Sequence, residues 1–234
     1  MGVKYVITDL NEAYRTIIKG FYTNAIYIAD RFHVTNLIVT AFNRIRINRM
    51  NFHKSLAEDK TIYNNREHKK YYNLLKKNYK LLISNKASHD SWYYDQIVYT
   101  DKDGVVTTMN DLIEQCINSD SQLESAYSLL QSFYRVFRYS NQDNARQQIL
   151  NWCDEVNRSE ENIYELKKAT ITIKNWINEI CNSFILNPIT HQRMTNGFIE
   201  GKNNLVKVIK RVGFGYKDFD LFRIRILETD KKDK

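Results

Sequence analysis

Between Val3 and Asp30 the chain reads as a strand, a helix and a second strand, and that order restricts everything that can follow. Val3 to Thr8 is a short apolar, β-rich run ending at Asp9. Leu10, Ala13, Tyr14, Ile17, Ile18 and Phe21 then recur at helical spacing, which predicts a helix over 10–21. A second apolar run, Ala25 to Ala29, ends at Asp30, and a further helical pattern starts near His33 and continues through Ile45. Two strands joined by one helix pair in parallel through a right-handed crossover. Asp9 and Asp30 are therefore expected on the same edge of the sheet, the edge where open α/β sheets place ligands.

Beyond residue 46 the pattern is almost wholly helical. Glu67 to Ile83, Met109 to Ile117, Leu123 to Tyr139, Asn144 to Val156 and Asn162 to Phe184 all carry apolar residues three and four apart. Nothing after Asp30 reads as sheet; Asp101-Lys102-Asp103-Gly104 is the clearest turn, and Asn187-Pro188 ends the helix before it. With 7 Gly and 1 Pro in 234 residues, the composition argues against a sandwich or barrel needing a turn every ten residues. The expected class is mostly α with a small parallel β component. No apolar run approaches the roughly 18 residues of a membrane span. Cys116, Cys153 and Cys181 sit far apart within helical patterns, which supports neither a disulfide framework nor a thiolate zinc site. A cytoplasmic, reducing location is expected, with no membrane partner.

Charge is unevenly spread. Residues 41–89 hold 12 basic and 3 acidic side chains, 90–165 hold 5 and 14, and 193–234 hold 11 and 6. Clustered Lys and Arg suit a phosphate backbone, because binding releases its counterions, whereas a solvated helix face produces the same composition without a partner.

Asp9 admits two readings. With Glu12 three residues later it forms a capping box for the following helix; at the mouth of a parallel sheet it is an oxygen ligand for a divalent cation. Asp30, with His33 one helical turn on, repeats the placement, and two neighbouring carboxylates repel unless a cation or proton separates them. Glu200 stands beyond the capping-box position of a helix capped by Asn196, in Asn196-Gly197-Phe198-Ile199-Glu200-Gly201-Lys202-Asn203-Asn204. Two Gly and three Asn there weaken the helix start, a local cost that marks a candidate functional site. Lys202, Lys207, Lys210 and Arg211, with Arg223 and Arg225 downstream, form the candidate DNA-binding set. Asn203, Lys207, Lys210 and Arg211 are expected on one face and Leu205, Val208, Ile209 and Val212 on the apolar side. His53, His68, His89 and His191 show no metal-ligand spacing, and glycine-rich phosphate loops and nucleophile signatures are absent.

Three regions carry a family resemblance. Thr195-Asn196-Gly197-x-x-Glu200-Gly201-x-Asn203-Asn204-x-x-Lys207-x-x-Lys210-Arg211, followed by Gly215-Tyr216-x-x-Phe219-x-x-Phe222-Arg223-x-Arg225-Ile226-Leu227, closely resembles the C-terminal block of DDE transposases of the "ISL three" family of bacterial insertion sequences. Val6-Ile7-Thr8-Asp9, Asn24-Ala25 and Asp30-Arg31-Phe32-His33-Val34 resemble the middle of the same catalytic domain. The segments around Ala126-Tyr127, Ile173-Lys174-x-Trp176 and Glu179-Ile180 resemble its helical insertion. The resemblance implies a partial RNase H-like core over 1–45, a helical insertion over 46–190 and returning core helices over 191–234.

It also implies strand cleavage and strand transfer on double-stranded DNA at insertion-sequence ends. Two Mg2+ or Mn2+ ions would be held by three carboxylates: Asp9 as the second and Glu200 as the third, both metal ligands, with Asp30, His33, Asn196 and Asn203 supporting. An alternative alignment makes Asp30 the second carboxylate. In the family a first Asp lies upstream of the residues matching Val3. A C-terminal part of a transposase is therefore expected, inactive alone and prone to self-association at an exposed sheet edge. The other expectation is a noncatalytic remnant that binds DNA or intact transposase and inhibits it.

Overall fold

A computed structural model describes residues 2–61, 63–118 and 120–232. Asp233 and Lys234, which the C-terminal charge block counts, lie outside the described residues. The chain opens with β1 (Tyr5–Thr8), α1 (Glu12–Phe21), β2 (Ile26–Ala29) and α2 (Arg31–Glu58). It continues with α3 (Asn65–Lys77), α4 (Tyr79–Leu82), a single 3-10 turn at Lys86–Ser88 and α5 (Ser91–Tyr94). A hairpin of β3 (Ile97–Thr100) and β4 (Val106–Thr108) leads to α6 (Met109–Ile117), α7 (Ser121–Tyr139), α8 (Ala145–Arg158), α9 (Tyr164–Asn175) and α10 (Ile177–Asn182). Finally come α11 (Gly197–Val212) and α12 (Phe219–Lys232). The described chain is mostly helical, and none of its helices is long and apolar enough to cross a membrane.

β1 and β2 pair in parallel, Tyr5 opposite Ile26 through Thr8 opposite Ala29, so both strands end on one edge. The crossover helix is shorter than the pattern predicts, because Asn11 and not Asp9 caps it: Asn11 Oδ1 accepts the Ala13 N–H at 2.9 Å. The expected Asp9–Glu12 capping box is absent. Asp9 stands two residues too early for its carboxylate to serve the first turn, and it is left for other partners.

α2 is the spine, about 42 Å long at 1.5 Å per residue, and α3, α7 and α9 pack along it. Val34, Ile38, Phe42 and Ile45 line its buried side. Phe133 of α7, Trp152 of α8 and Phe184 fill the same core, with the Trp152 indole N–H donating to the Leu129 carbonyl at 2.9 Å. Arg46 meets the Leu75 carbonyl and His53 meets His68, seven residues further toward the turn on each helix, so α2 and α3 run antiparallel.

Three expectations about the helical region need correcting. The run 67–83 is broken at Asn78, and the run 162–184 at Trp176. In each case the apolar phase continues across the break, so periodicity alone shows one helix. The β3–β4 hairpin was not expected at all. It joins strands of four and three residues across the Asp101–Gly104 turn, with Asp101 Oδ1 accepting from both the Asp103 and Val105 N–H groups. Its exposed Ile97, Val98, Tyr99 and Val106 give no alternation of buried and exposed positions.

The chain divides into two compact units, residues 1–193 and 194–234. In the second, α11 and α12 pack against each other across a turn in which Phe214 and Gly215 both take positive φ. A Cβ at Gly213 would stand 2.5 Å from the Tyr216 ring, so a side chain there would displace the ring.

Candidate metal centre

Freed from capping α1, the Asp9 carboxylate turns to α2. Its Oδ1 lies 2.8 Å from His33 Nε2. Asp30 is the residue that does cap: it is the N-cap of α2, and its Oδ1 accepts the Phe32 N–H at 3.0 Å. One ligand atom from each of Asp9, Asp30 and His33 lies within 4.8 Å of the others, and this is the one such group of three among the described residues. Asp30 is 4% exposed, whereas the Asp9 side chain keeps about half its surface in solvent. The centre thus has a buried floor and an open mouth.

Its position follows from the strand pair. The Asp30 N–H donates to the Thr8 carbonyl at 2.9 Å, extending the ladder to the edge and fixing Asp30 against the end of β1. The Tyr27 hydroxyl, 2.7 Å from Thr8 Oγ1 and 3.2 Å from the Asp9 carbonyl oxygen, braces the Asp9 peptide from beneath. Burial pushes that phenol above its ordinary value, so it is a neutral donor at working pH.

The helical region braces the same unit from behind. Arg15 of α1 forks onto Glu179 of α10, Nε to Oε1 at 3.0 Å and Nη2 to Oε2 at 2.9 Å, and its guanidinium lies 3.9 Å over the Trp176 ring. The hydrogen bonds to Glu179 raise the Arg15 pKa. Asn182 donates to the Tyr27 carbonyl at 2.8 Å, satisfying an outer edge of β2. At the start of α2, Arg31 donates to the Phe137 carbonyl between the Phe137 and Phe184 rings, and Arg193 donates to the Phe137, Arg138 and Ser140 carbonyls. Two cations thereby satisfy the carbonyl end of α7. Burial, reinforced by the neighbouring Arg193 charge, pushes the Arg31 pKa down to about 9.

The donor set suits a hard divalent cation. Two carboxylates supply anionic oxygens, and Asp30 retains the oxygen its capping bond does not use. An imidazole is a poor ligand for Mg2+; the contact His33 makes is with the Asp9 carboxylate.

Glu200, expected in the same site, lies in the first turn of α11 in the second unit and is exposed. Asn196 is the α11 N-cap through its backbone: its carbonyl accepts the Glu200 N–H at 2.9 Å, with no side-chain capping bond. Asn203, Lys207, Lys210 and Arg211 are exposed along α11, Lys202 is half-buried, and Arg223 and Arg225 are exposed on α12. The expected apolar side needs one correction. Ile209 is buried and Leu205 half-buried, but Val208 and Val212 are 52% and 68% exposed, and Val206 takes the inward position instead.

One polar cluster was missed in the sequence. His53 Nδ1 lies 3.0 Å from His68 Nδ1, His53 Nε2 lies 3.4 Å from Asp120 Oδ2, and Arg49 Nε donates to that same oxygen at 2.5 Å. Asp120 also caps α7 by accepting the Leu123 N–H. Burial holds the His53 pKa below its ordinary value against the opposing bond to Asp120. Fifteen and 67 residues separate His53 from these partners, so no local motif announces the cluster, which joins α2, α3 and α7.

A family model described as a transposase, of the "ISL three" (ISL3) DDE group, matches residues 1–226. Neither a curated protein nor a solved structure gives a match.

Proposed function

The chain belongs to the ISL3 family of DDE transposases, and from that premise we propose that Asp9 and Asp30 are metal-holding carboxylates of its DNA-cleaving site. Transposition is the family's function and DNA its partner. The observation that carries the proposal is the convergence of Asp9, Asp30 and His33 at the C-terminal edge of a parallel strand pair. Each carboxylate is fixed by a separate device, His33 for Asp9 and the α2 cap for Asp30.

When bound, Mg2+ or Mn2+ supplies Lewis acidity and an activated oxygen nucleophile for attack on a DNA phosphorus. The chain's own part is to hold negative charge in fixed places. Asp30, buried at the strand end, anchors the set; Asp9, half in solvent and oriented by His33, faces the open side. Glu200 is assigned as the third carboxylate by the Asn196 to Asn204 pattern, with Asn196 and Asn203 supporting it. Lys202, Lys207, Lys210, Arg211, Arg223 and Arg225 are assigned to phosphates, neutralising backbone charge beside the reacting strand. In this reading β1-α1-β2 is part of an RNase H-like core, residues 46–190 are a helical insertion and 191–234 return to the core.

The test is nicking of supercoiled DNA with Mg2+ or Mn2+. A polypeptide of residues 1–234 alone is expected to be inactive, because the pattern's first Asp has no counterpart in it. Activity is expected once a segment carrying that Asp is supplied, and Asp9→Asn and Glu200→Gln should each abolish it. Cleavage that survives both substitutions would overturn the assignment.

A further inference from the structure

We propose that the outward face of α3 is a second docking surface for the backbone of double-stranded DNA, separate from the cations of α11 and α12. Arg66, Lys69, Lys70, Lys76 and Lys77 are all exposed. At 100° per residue they fall within an arc of about 120° on the helix, and Lys80 of α4 follows them. The opposite side of α3 is fully committed. Tyr71 and Leu75 are buried, and His68 reaches His53 on α2. α3 is therefore held rigidly by one face while the other presents a fixed row of cations.

Two observations separate this row from an ordinary solvated face. A solvated helix of mixed charge pairs its cations with carboxylates three or four residues away, as Lys54 and Glu58 do on α2. The cations of the α3 row form no salt bridge among the described residues, and the one acidic residue of α3, Glu67, projects off the arc. The acidic segment 90–165 does not neutralise the row either: none of its carboxylates pairs with these residues among those described, although α6 packs against α3. The fold thus preserves the segregation of charge that the sequence shows.

Like charges packed this closely repel one another, and a polyanion of matching pitch relieves the cost. From Arg66 to Lys77 the row is about 16 Å long, a length of duplex that carries roughly ten phosphates counting both strands. Four of the five side chains are lysines, flexible point charges with no fixed fork aimed at a base edge. The contact is therefore read as sequence-independent: it holds DNA by charge and leaves base reading to other regions.

The experiment is fluorescence anisotropy of a labelled 30-base-pair duplex of arbitrary sequence, titrated with the full chain over a range of salt. The test variant carries Lys69→Gln, Lys70→Gln, Lys76→Gln and Lys77→Gln, all at exposed positions away from the core. A control variant removes the same charge elsewhere, at Lys4, Lys19, Lys102 and Lys168, also exposed. Each lost phosphate contact lowers the slope of log affinity against log salt by about 0.9, so the α3 variant, with four cations removed, should lose about 3.6 units of slope and the control less than about one. Equal losses in the two variants would reduce the row to a net-charge effect and overturn the proposal. So would an unchanged slope, including one accompanied by lost binding to anionic vesicles or to an acidic protein. The reading rests on DNA being this family's partner but not on the metal centre. Asp9→Asn should leave the slope intact while abolishing the cleavage expected once a segment carrying the first Asp is supplied, so the two proposals fail separately.

Discussion

Replacing Arg15 by Met removes the cation that ties the crossover helix to α10 and leaves the Glu179 carboxylate in place, with 11% of its side chain exposed. A fully buried pair broken from one side costs about 3–5 kcal/mol. Here the two side chains keep 17% and 11% of their surface, so part of that penalty is recovered by solvent and about 2–3 kcal/mol is expected. Arg15 also gives up its bond to the Asn175 carbonyl and its stacking on Trp176. Glu179→Gln keeps a hydrogen-bonding partner for the guanidinium and should cost about 1–2 kcal/mol. The double variant leaves no unpaired carboxylate, so its loss should fall short of the sum by at least about 1 kcal/mol. Urea unfolding of the four proteins measures this, read as midpoint shifts at constant slope. Strict additivity would show that the fork contributes no pairwise energy, and that α10 does not hold the strand pair through it.

Three further outcomes follow from the same geometry. Asn11→Ala should destabilise the chain by about 1 kcal/mol through loss of the α1 cap, whereas Asp9→Asn should cost no capping energy; calorimetric melting of the two separates the roles. Because burial lowers the folded-state pKa of His53 below 6.5, the unfolded chain binds more protons between that lowered value and 6.5. This contribution to stability is therefore complete above about pH 6.5 and declines as pH falls through that window. His53→Gln should flatten that part of the stability profile measured by urea unfolding, and an unchanged slope would show that His53 takes up its proton in the fold as readily as in the unfolded chain. Trp152→Phe keeps an aromatic ring in the core but deletes the indole donor to Leu129, so a cost of about 1–3 kcal/mol is expected in the same assay.

The strand–helix–strand opening was legible because both periodicities are clean and each strand ends on an acid. The site inherited that clarity: parallel pairing alone placed Asp9 beside Asp30, and the helical offset added His33. The role of Asp9 was less legible. Two capping side chains, Asp9 and Asn11, stand two residues apart, and only the backbone geometry at Asn11 decides between them. The breaks at Asn78 and Trp176 were hidden by an apolar phase that runs across them. The hairpin was hidden by short strands with exposed faces. The His53–His68–Asp120 cluster is a product of helix packing alone. Glu200 rests on the sequence pattern alone, since the structure shows it exposed on the first turn of α11, and such exposure has no signature of its own.

The central claim is that Asp9 and Asp30 jointly hold a divalent cation, and Mn2+ titration followed by electron paramagnetic resonance tests it most directly. Asp30→Asn is the informative substitution, because Asn caps a helix as well as Asp does and so removes a charge while keeping α2 in place. The full chain should bind Mn2+, and both Asp30→Asn and Asp9→Asn should weaken binding by at least about tenfold, with Asn11→Ala unchanged. Binding that is equal in the full chain, Asp9→Asn and Asp30→Asn would contradict the account, since the cation would then be held by other residues.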